Sequence, residues 1–250
     1  MIRLGLIGDP IAHSKSPEIF TRLFEEASCA GSYRLFPLRT VTRALLDQLF
    51  LEEELTGLNV TVPHKRSVME LLDRIDPKAA RIGAVNTIVR EGSELVGYNT
   101  DFEGIQASLT SLLSDTEPWP AALVLGDGGA SKAVQAFLEF KGVDALVVSR
   151  TSRPWTFEQL PAEVAASRPL WVQCTPVGGP SFLNEYLTLP YHVLTPEFAI
   201  FDLIYTPEPT ALMELAAARG ARTIGGRLML ETQAKYAWTL FQDAYYKTRR

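Results

Sequence analysis

The chain has 250 residues, 46% of them hydrophobic and 21% charged, with a formal net charge of −5. That suffices for one large or two modest globular domains, and without a block of Lys or Arg it gives no reason to expect a nucleic-acid partner. No stretch approaches the roughly 20 apolar residues of a membrane helix, and Met1–Gly8 is too short for a secretory h-region and runs straight into Asp9. Cys29 and Cys174 show no CxxC spacing and cannot build a metal site alone, so they read as free thiols of a reducing compartment. The expectation is a soluble cytoplasmic protein with no metal.

Ile2–Ile7 is a short apolar run ended by Gly8 and Pro10, a buried strand. Ser16 offers an N-cap with Pro17 behind it, and Ile19, Leu23, Phe24 and Ala27 follow at helical spacing. Tyr33–Leu38 reads as a strand, Val41–Phe50 as a helix, and Leu58–Val62 as a strand closed by Pro63. Ser67–Ile75 reads as a helix with Val68, Leu71, Leu72 and Ile75 on one face. Ala84–Val89 and Glu94–Tyr98 read as a hairpin around Glu91-Gly92. A helix over Phe102–Leu113 and a polar connector over Ser114–Pro120 follow, and then Ala121–Leu125 starts a new strand–helix–strand unit. Strands alternating with helices predict two α/β domains with a mostly parallel sheet in the first, divided near residue 101.

Gly126-Asp127-Gly128-Gly129-Ala130-Ser131 follows the strand Ala121–Leu125 and opens a helix running to about Lys141. Glycines there permit a tight turn and close approach to a pyrophosphate, and the helix N-terminus supplies free N–H groups and positive dipole. A bare Gly-x-Gly is a weak signal that an ordinary βαβ turn also produces. Here a second strand, Ala145–Val148, ends at the expected distance and strengthens it. An NAD site usually carries an acid at that strand end, for the ribose 2′-hydroxyl. This chain carries Ser149-Arg150-Thr151-Ser152-Arg153 instead, two guanidiniums and hydroxyls suited to a 2′-phosphate and hence to NADP.

Four polar clusters fall at strand ends before residue 101: His13–Pro17, Asn59–Lys65, Ala84–Thr87 and Asn99–Asp101. Carboxyl ends of strands in an open α/β sheet are where ligands bind. The clusters offer hydroxyls, amides, an ammonium and a carboxylate, a set suited to a small polyhydroxylated acid. Singly, each has a bland reading: Ser14 and Ser16 as helix caps, Asn86 as a turn residue, Lys65 as a solvated charge. It is their joint occurrence ahead of a dinucleotide fold that points to a site.

At this point nearly the whole chain resembles the shikimate dehydrogenase family. Gly8–Pro17 is similar to the family's opening motif, which implies that Ser14 and Ser16 hold the substrate carboxylate. Asn59–Lys65 resembles its NVTxPHK element, implying a substrate-binding Thr61 and a catalytic Lys65; Asn86 and Asp101 fall on residues that hold the ring hydroxyls, Asp101 also orienting the lysine. The resemblance implies cofactor contacts from Gly126, Asp127, Gly128, Gly129, Ala130, Ser149, Arg150, Thr151 and Arg153, and from Thr175, Leu203 and Gly226. Tyr205 and Gln233 complete the substrate set.

The fold implied is a substrate-binding domain over 1–101, a Rossmann-like NADP-binding domain over 102–225, and a C-terminal helix from about 226 to 250 returning to the first. The activity implied is reversible, NADPH-dependent reduction of 3-dehydroshikimate to shikimate, toward chorismate and the aromatic amino acids, by a monomer or homodimer. Two alternatives stay open: a quinate/shikimate dehydrogenase using NAD, and a nonenzymatic ligand-sensing module. The chain departs from the family pattern at Asp127 (usually alanine), Cys174 (usually asparagine) and Leu228 (usually glycine), and it is short around Thr156–Pro180.

Overall fold

The computed structural model describes residues 1–113, 118–183 and 185–247. Residues 114–117 of the expected connector and 248–250 of the expected last helix lie outside them. The chain divides into two compact units, Met1–Asp101 with Glu231 onward, and Phe102–Leu230.

In the first unit, β1 (Ile2–Gly8) is almost wholly buried, as a strand covered on both faces must be. Helix α1 (Ser16–Glu26) buries Ile19, Phe20, Leu23 and Phe24 along one stripe. β2 (Gly31–Pro37) pairs parallel to β1. In α2 (Arg43–Glu52) the Thr42 hydroxyl caps the Leu45 N–H. β3 (Gly57–Val60) pairs parallel to the other side of β1.

The segment 67–75 departs from the expected helix. It forms a 3₁₀ helix over Ser67–Leu71, an extended Leu72, and a two-residue strand, β4 (Arg74–Ile75). Arg74 and Ile75 pair with Val96 and Gly97 of the later strand Glu94–Tyr98, and Asp73 N–H donates to Leu95 O at 3.0 Å. Satisfying that sheet edge outweighs the helical spacing. Helix α3 (Pro77–Ile82), absent from the sequence reading, is capped by Asp76, which accepts from the Lys78 and Ala79 N–H groups. Its signal was present: an Asp-Pro start and a Gly83 end with φ of 72°. β5 (Thr87–Glu91) begins three residues later than expected, leaving Ala84–Asn86 as loop, and pairs antiparallel with β6 (Glu94–Tyr98). The sheet order is β2-β1-β3-β5-β6-β4.

The second unit begins in helix α4 (Asp101–Leu113) and continues through β7 (Ala122–Leu125), α5 (Gly129–Phe140) and β8 (Ala145–Val148). After α6 (Ala162–Ala166) and β9 (Leu170–Gln173), a 3₁₀ turn over Tyr191–Val193 leads to β10 (Ala199–Asp202). α7 (Ala211–Ala217), β11 (Arg222–Ile224) and α8 (Arg227–Lys247) end the chain. All five strands are parallel, ordered β11-β10-β9-β7-β8. Leu123, Leu125, Val148, Trp171 and Ile200 form its buried centre.

The division between units falls inside α8, after Leu230, rather than at 225/226 as the sequence reading placed it. The first turn of α8 is held by the second unit. A Cβ at Gly226 would lie 2.0 Å from Leu203 O, and one at Gly104 would lie 2.6 Å from Met229 O. From Ala234 the helix buries Ala237, Trp238, Phe241 and Ala244. Trp238 meets Phe24 edge-on, with centroids 5.2 Å apart, and Phe241 meets Phe20. Among the described residues, no helix is long and apolar enough to cross a membrane.

Candidate active site

In the first unit, β1, β3 and β6 run the same way and β5 runs against them. The loop after β1, the loop after β3, the residues before β5 and the residues after β6 therefore meet at one sheet edge. All four sequence clusters lie there.

Lys65 follows the turn after β3, where His64 N–H bonds Thr61 O at 2.9 Å. The buried His64 ring bonds Leu38 O at 2.7 Å, a structural role that fits its omission from the chemistry. Lys65 Nζ donates to Asp101 Oδ2 at 2.7 Å; the two side chains are 15% and 5% exposed. The other carboxylate oxygen, Oδ1, accepts from Asn86 Nδ2 at 2.9 Å. Asn86 also donates to Thr100 Oγ1 at 3.0 Å, and its own Oδ1 accepts from the Thr100 N–H at 2.8 Å and the Thr87 hydroxyl at 3.0 Å. Thr100 Oγ1 reaches Gln233 Oε1 at 3.3 Å, which brings the α8 residue into the same network. Lys65, Asn86, Asp101 and Gln233 are thus one connected set.

The serine pair sits at the start of α1. Ser16 is the first helical residue and Lys15 occupies the N-cap without a side-chain bond, so Ser16 is not the cap its position suggested. The Ser14 hydroxyl accepts from the Ser16 N–H and donates to Ser16 Oγ, both at 3.2 Å. Thr61, half-buried, ties its N–H to Ile7 O at 2.9 Å.

A residue the sequence reading missed joins the pair to the rest. Tyr33 on β2 donates to Asn59 Oδ1 at 2.9 Å, and Asn59 Nδ2 donates to Thr87 Oγ1 at 3.2 Å. Burial pushes the Tyr33 hydroxyl above its ordinary value, and a hydrogen bond with Ser16 partly offsets this. A lone tyrosine in a strand gives no sequence signal of such a role.

In the second unit the parallel strands bring Gly126–Ala130, Ser149–Arg153, Cys174–Gly178 and Leu203–Tyr205 to one edge, the carboxyl ends of β7, β8, β9 and β10. Gly126 has φ of 110°, a conformation that favours glycine. A Cβ there would lie 3.0 Å from Thr175 Cγ2, so Thr175 packs directly on the loop. A Cβ at Gly128 would meet nothing within 4 Å, and Gly128 caps α5 with no side-chain bond. The first turn of α5 therefore has open space before it and N–H groups to offer, the cradle a pyrophosphate needs. Ser131 is buried and turns away, donating to Gly126 O at 2.6 Å.

Arg150, Thr151 and Arg153 are exposed while Ser149 is buried. Ser149 Oγ donates to Asp127 Oδ2 at 3.0 Å and accepts from the Thr151 N–H at 3.2 Å. Gly226 packs on the Leu203 carbonyl, and Tyr205 follows β10 half-buried. Tyr205 belongs to this unit. Cys174 lies at the end of β9; burial, then the nearby Asp202 charge, push its thiol well above the usual range. Asp202 is itself buried, which pushes its carboxyl up to about 6 against the lowering effect of bonds from Thr210 Oγ1 (2.7 Å) and the Ile204 N–H (3.0 Å).

The profile of the shikimate dehydrogenase substrate binding domain matches residues 6–88. The chain is 32% identical to an NADP(+) shikimate dehydrogenase of Desulforamulus reducens, over 95% of this chain and 88% of the relative. A structure of shikimate 5-dehydrogenase from Thermus thermophilus, in complex with NADP(H) and shikimate, is similar at 30% identity and a TM-score of 0.84, covering 97% and 94% of the two chains. A quinate dehydrogenase from Corynebacterium glutamicum in complex with NAD is similar at 27% identity and a TM-score of 0.86, covering 97% and 94%.

Proposed function

The chain belongs to the shikimate dehydrogenase family, NADP-dependent oxidoreductases acting on a CH–OH group, and on that premise we propose that it interconverts 3-dehydroshikimate and shikimate with Lys65 as the proton donor. The observation that carries this is the Lys65–Asp101 pair, buried at the carboxyl edge of the first sheet. A buried ion pair is a poor device for stability, because the desolvation of two charges offsets their attraction. Its presence among polar side chains fits a chemical use.

Ketone reduction needs a hydride on carbon and a proton on oxygen, and a bound nicotinamide supplies the hydride. Lys65 gives the proton to the carbonyl oxygen; in the reverse direction it takes the proton from the hydroxyl. Asp101 fixes the direction of the ammonium, and Asn86 keeps the carboxylate from turning away. The remaining acceptor capacity of Asp101 serves a ring hydroxyl beside the reacting carbon. Ser14 and Ser16 take the substrate carboxylate, and Thr61, Asn86, Gln233 and Tyr205 hold the ring. A pocket built on such donors rejects analogues that lack their partners.

Residues 1–101 are the substrate-binding domain in this reading and the second unit binds NADP. Gly126, Gly128 and Gly129 leave room for the pyrophosphate, and Arg150 and Arg153 meet the 2′-phosphate. Asp127, Ala130, Ser149, Thr151, Thr175, Leu203 and Gly226 complete the cofactor surface. The reaction belongs to the cytoplasmic route toward chorismate and the aromatic amino acids. A spectrophotometric assay crossing shikimate and quinate with NADP and NAD tests the reading. Turnover of shikimate with NADP as the best pair is expected; no turnover of any pair overturns it, and quinate with NAD as the best pair selects the other dehydrogenase.

A further inference from the structure

Asp127 belongs to the glycine loop after β7, yet its carboxylate engages the end of the neighbouring strand. We propose that Asp127 is a specificity-determining residue for the dinucleotide: it opposes Arg150 and Arg153, weakens the hold on a 2′-phosphate, and offers an acceptor to a free ribose 2′-hydroxyl. The inference rests on the dinucleotide reading of this loop and deepens it.

The register puts the two segments side by side, since Leu125 pairs with Val148 and the loops after them leave the same edge. The single Ser149 hydroxyl proton goes to Asp127 Oδ2 at 3.0 Å, while the same oxygen accepts from the Thr151 N–H. Ser149 thus has no proton left for a phosphate. A 2′-phosphate carries roughly −1.5 to −2 charges and only accepts hydrogen bonds. To use Ser149 it must displace Asp127, and it must then lie beside that carboxylate. A ribose 2′-hydroxyl has a proton to donate, and a carboxylate is the acceptor NAD sites provide. Such sites carry it at the end of the second strand. Here it comes from the first loop and reaches the same strand end.

The exposed guanidiniums of Arg150 and Arg153 act the opposite way. The expected result is an enzyme that still prefers NADPH but separates it from NADH less than two arginines alone achieve. Asp127 is exposed and lies outside the buried centre of its unit, so its variants keep the fold.

The experiment measures dissociation constants of NADPH, NADH, 2′,5′-ADP and 5′-AMP by fluorescence or calorimetry for the full chain, Asp127→Asn and Asp127→Ala. Asp127 is exposed, so the dielectric of bulk water applies, and there one unit charge at hydrogen-bond range changes binding by about tenfold. Both variants should therefore bind NADPH and 2′,5′-ADP about tenfold more tightly and NADH and 5′-AMP no more tightly. High salt should shrink the gain. Unchanged or weaker NADPH binding in both variants overturns the proposal. Arg150→Ala/Arg153→Ala, measured alongside, separates the two failures. If the arginines matter and Asp127 does not, only this inference falls; if neither matters, the nucleotide reading of the loop falls with it.

Discussion

Replacing Lys65 with alanine removes the ammonium from Asp101 while leaving most of the surrounding network in place. Asp101 keeps its bond from Asn86 Nδ2 at 2.9 Å, and its N–H stays on Asn99 Oδ1 at 3.1 Å. The carboxylate is only 5% exposed, so losing its cation costs stability, by about 1–3 kcal/mol since one side-chain donor remains. The chemical step is expected to lose more. Loss of a positioned general acid lowers kcat by about 10²–10⁴-fold, or about 2.7–5.4 kcal/mol of barrier. KM for shikimate should move little, because Ser14, Ser16, Asn86 and Gln233 still hold the ground state. Lys65→Met retains the stem and should match the alanine variant, separating lost charge from lost packing. Steady-state rates followed by nicotinamide absorbance, with a denaturation curve for each variant, supply the comparison. Near-normal kcat with a raised KM would make Lys65 a binding residue and refute the mechanism.

Asp101→Asn should damage kcat and KM together, since the residue both orients Lys65 and meets substrate; a change confined to KM would remove the orienting role. Arg150→Ala/Arg153→Ala should weaken NADPH binding by about 1.5–3 kcal/mol per lost contact and leave NADH nearly unchanged, whereas equal losses would show that the arginines do not read the phosphate. The Asp202 carboxyl, raised from 3.8 to about 6, binds its proton more tightly folded than unfolded. Its contribution is therefore fully present below about pH 4 and is lost as pH rises through about 6, amounting to about 3 kcal/mol. Urea denaturation across that window should be correspondingly flatter for Asp202→Asn than for the parent chain; parallel curves would contradict the assignment. Gly226→Ala forces a Cβ to 2.0 Å from Leu203 O, so a loss of about 1–3 kcal/mol is expected, and an unchanged melting temperature would show that the backbone yields there.

Local chemistry announced much of this protein. The apolar run of β1, the stripe of α1 and the strand–glycine–helix order at 121–141 each follow from propensity and period, which neighbours in sequence control. The polar residues at the strand ends were legible for the same reason, whereas the pairing of Lys65 with Asp101 was expected from the family resemblance and not from local chemistry. Other features needed the folded chain. Residues 67–75 gave up helical spacing because the edge of β6 had backbone groups to satisfy. The link from Ser16 through Tyr33, Asn59 and Thr87 to Asn86 joins side chains from the start of α1, three strands and one loop, distant in sequence, and exists only once the sheet order is set. The first turn of α8 stayed with the second unit because Gly226 and Met229 pack on Leu203 and Gly104, contacts between residues far apart in the sequence that leave no periodic trace. The direction of Asp127 was likewise open in the sequence: an acid in a glycine loop can face solvent or its neighbour, and the register of β7 against β8 put Ser149 within its reach.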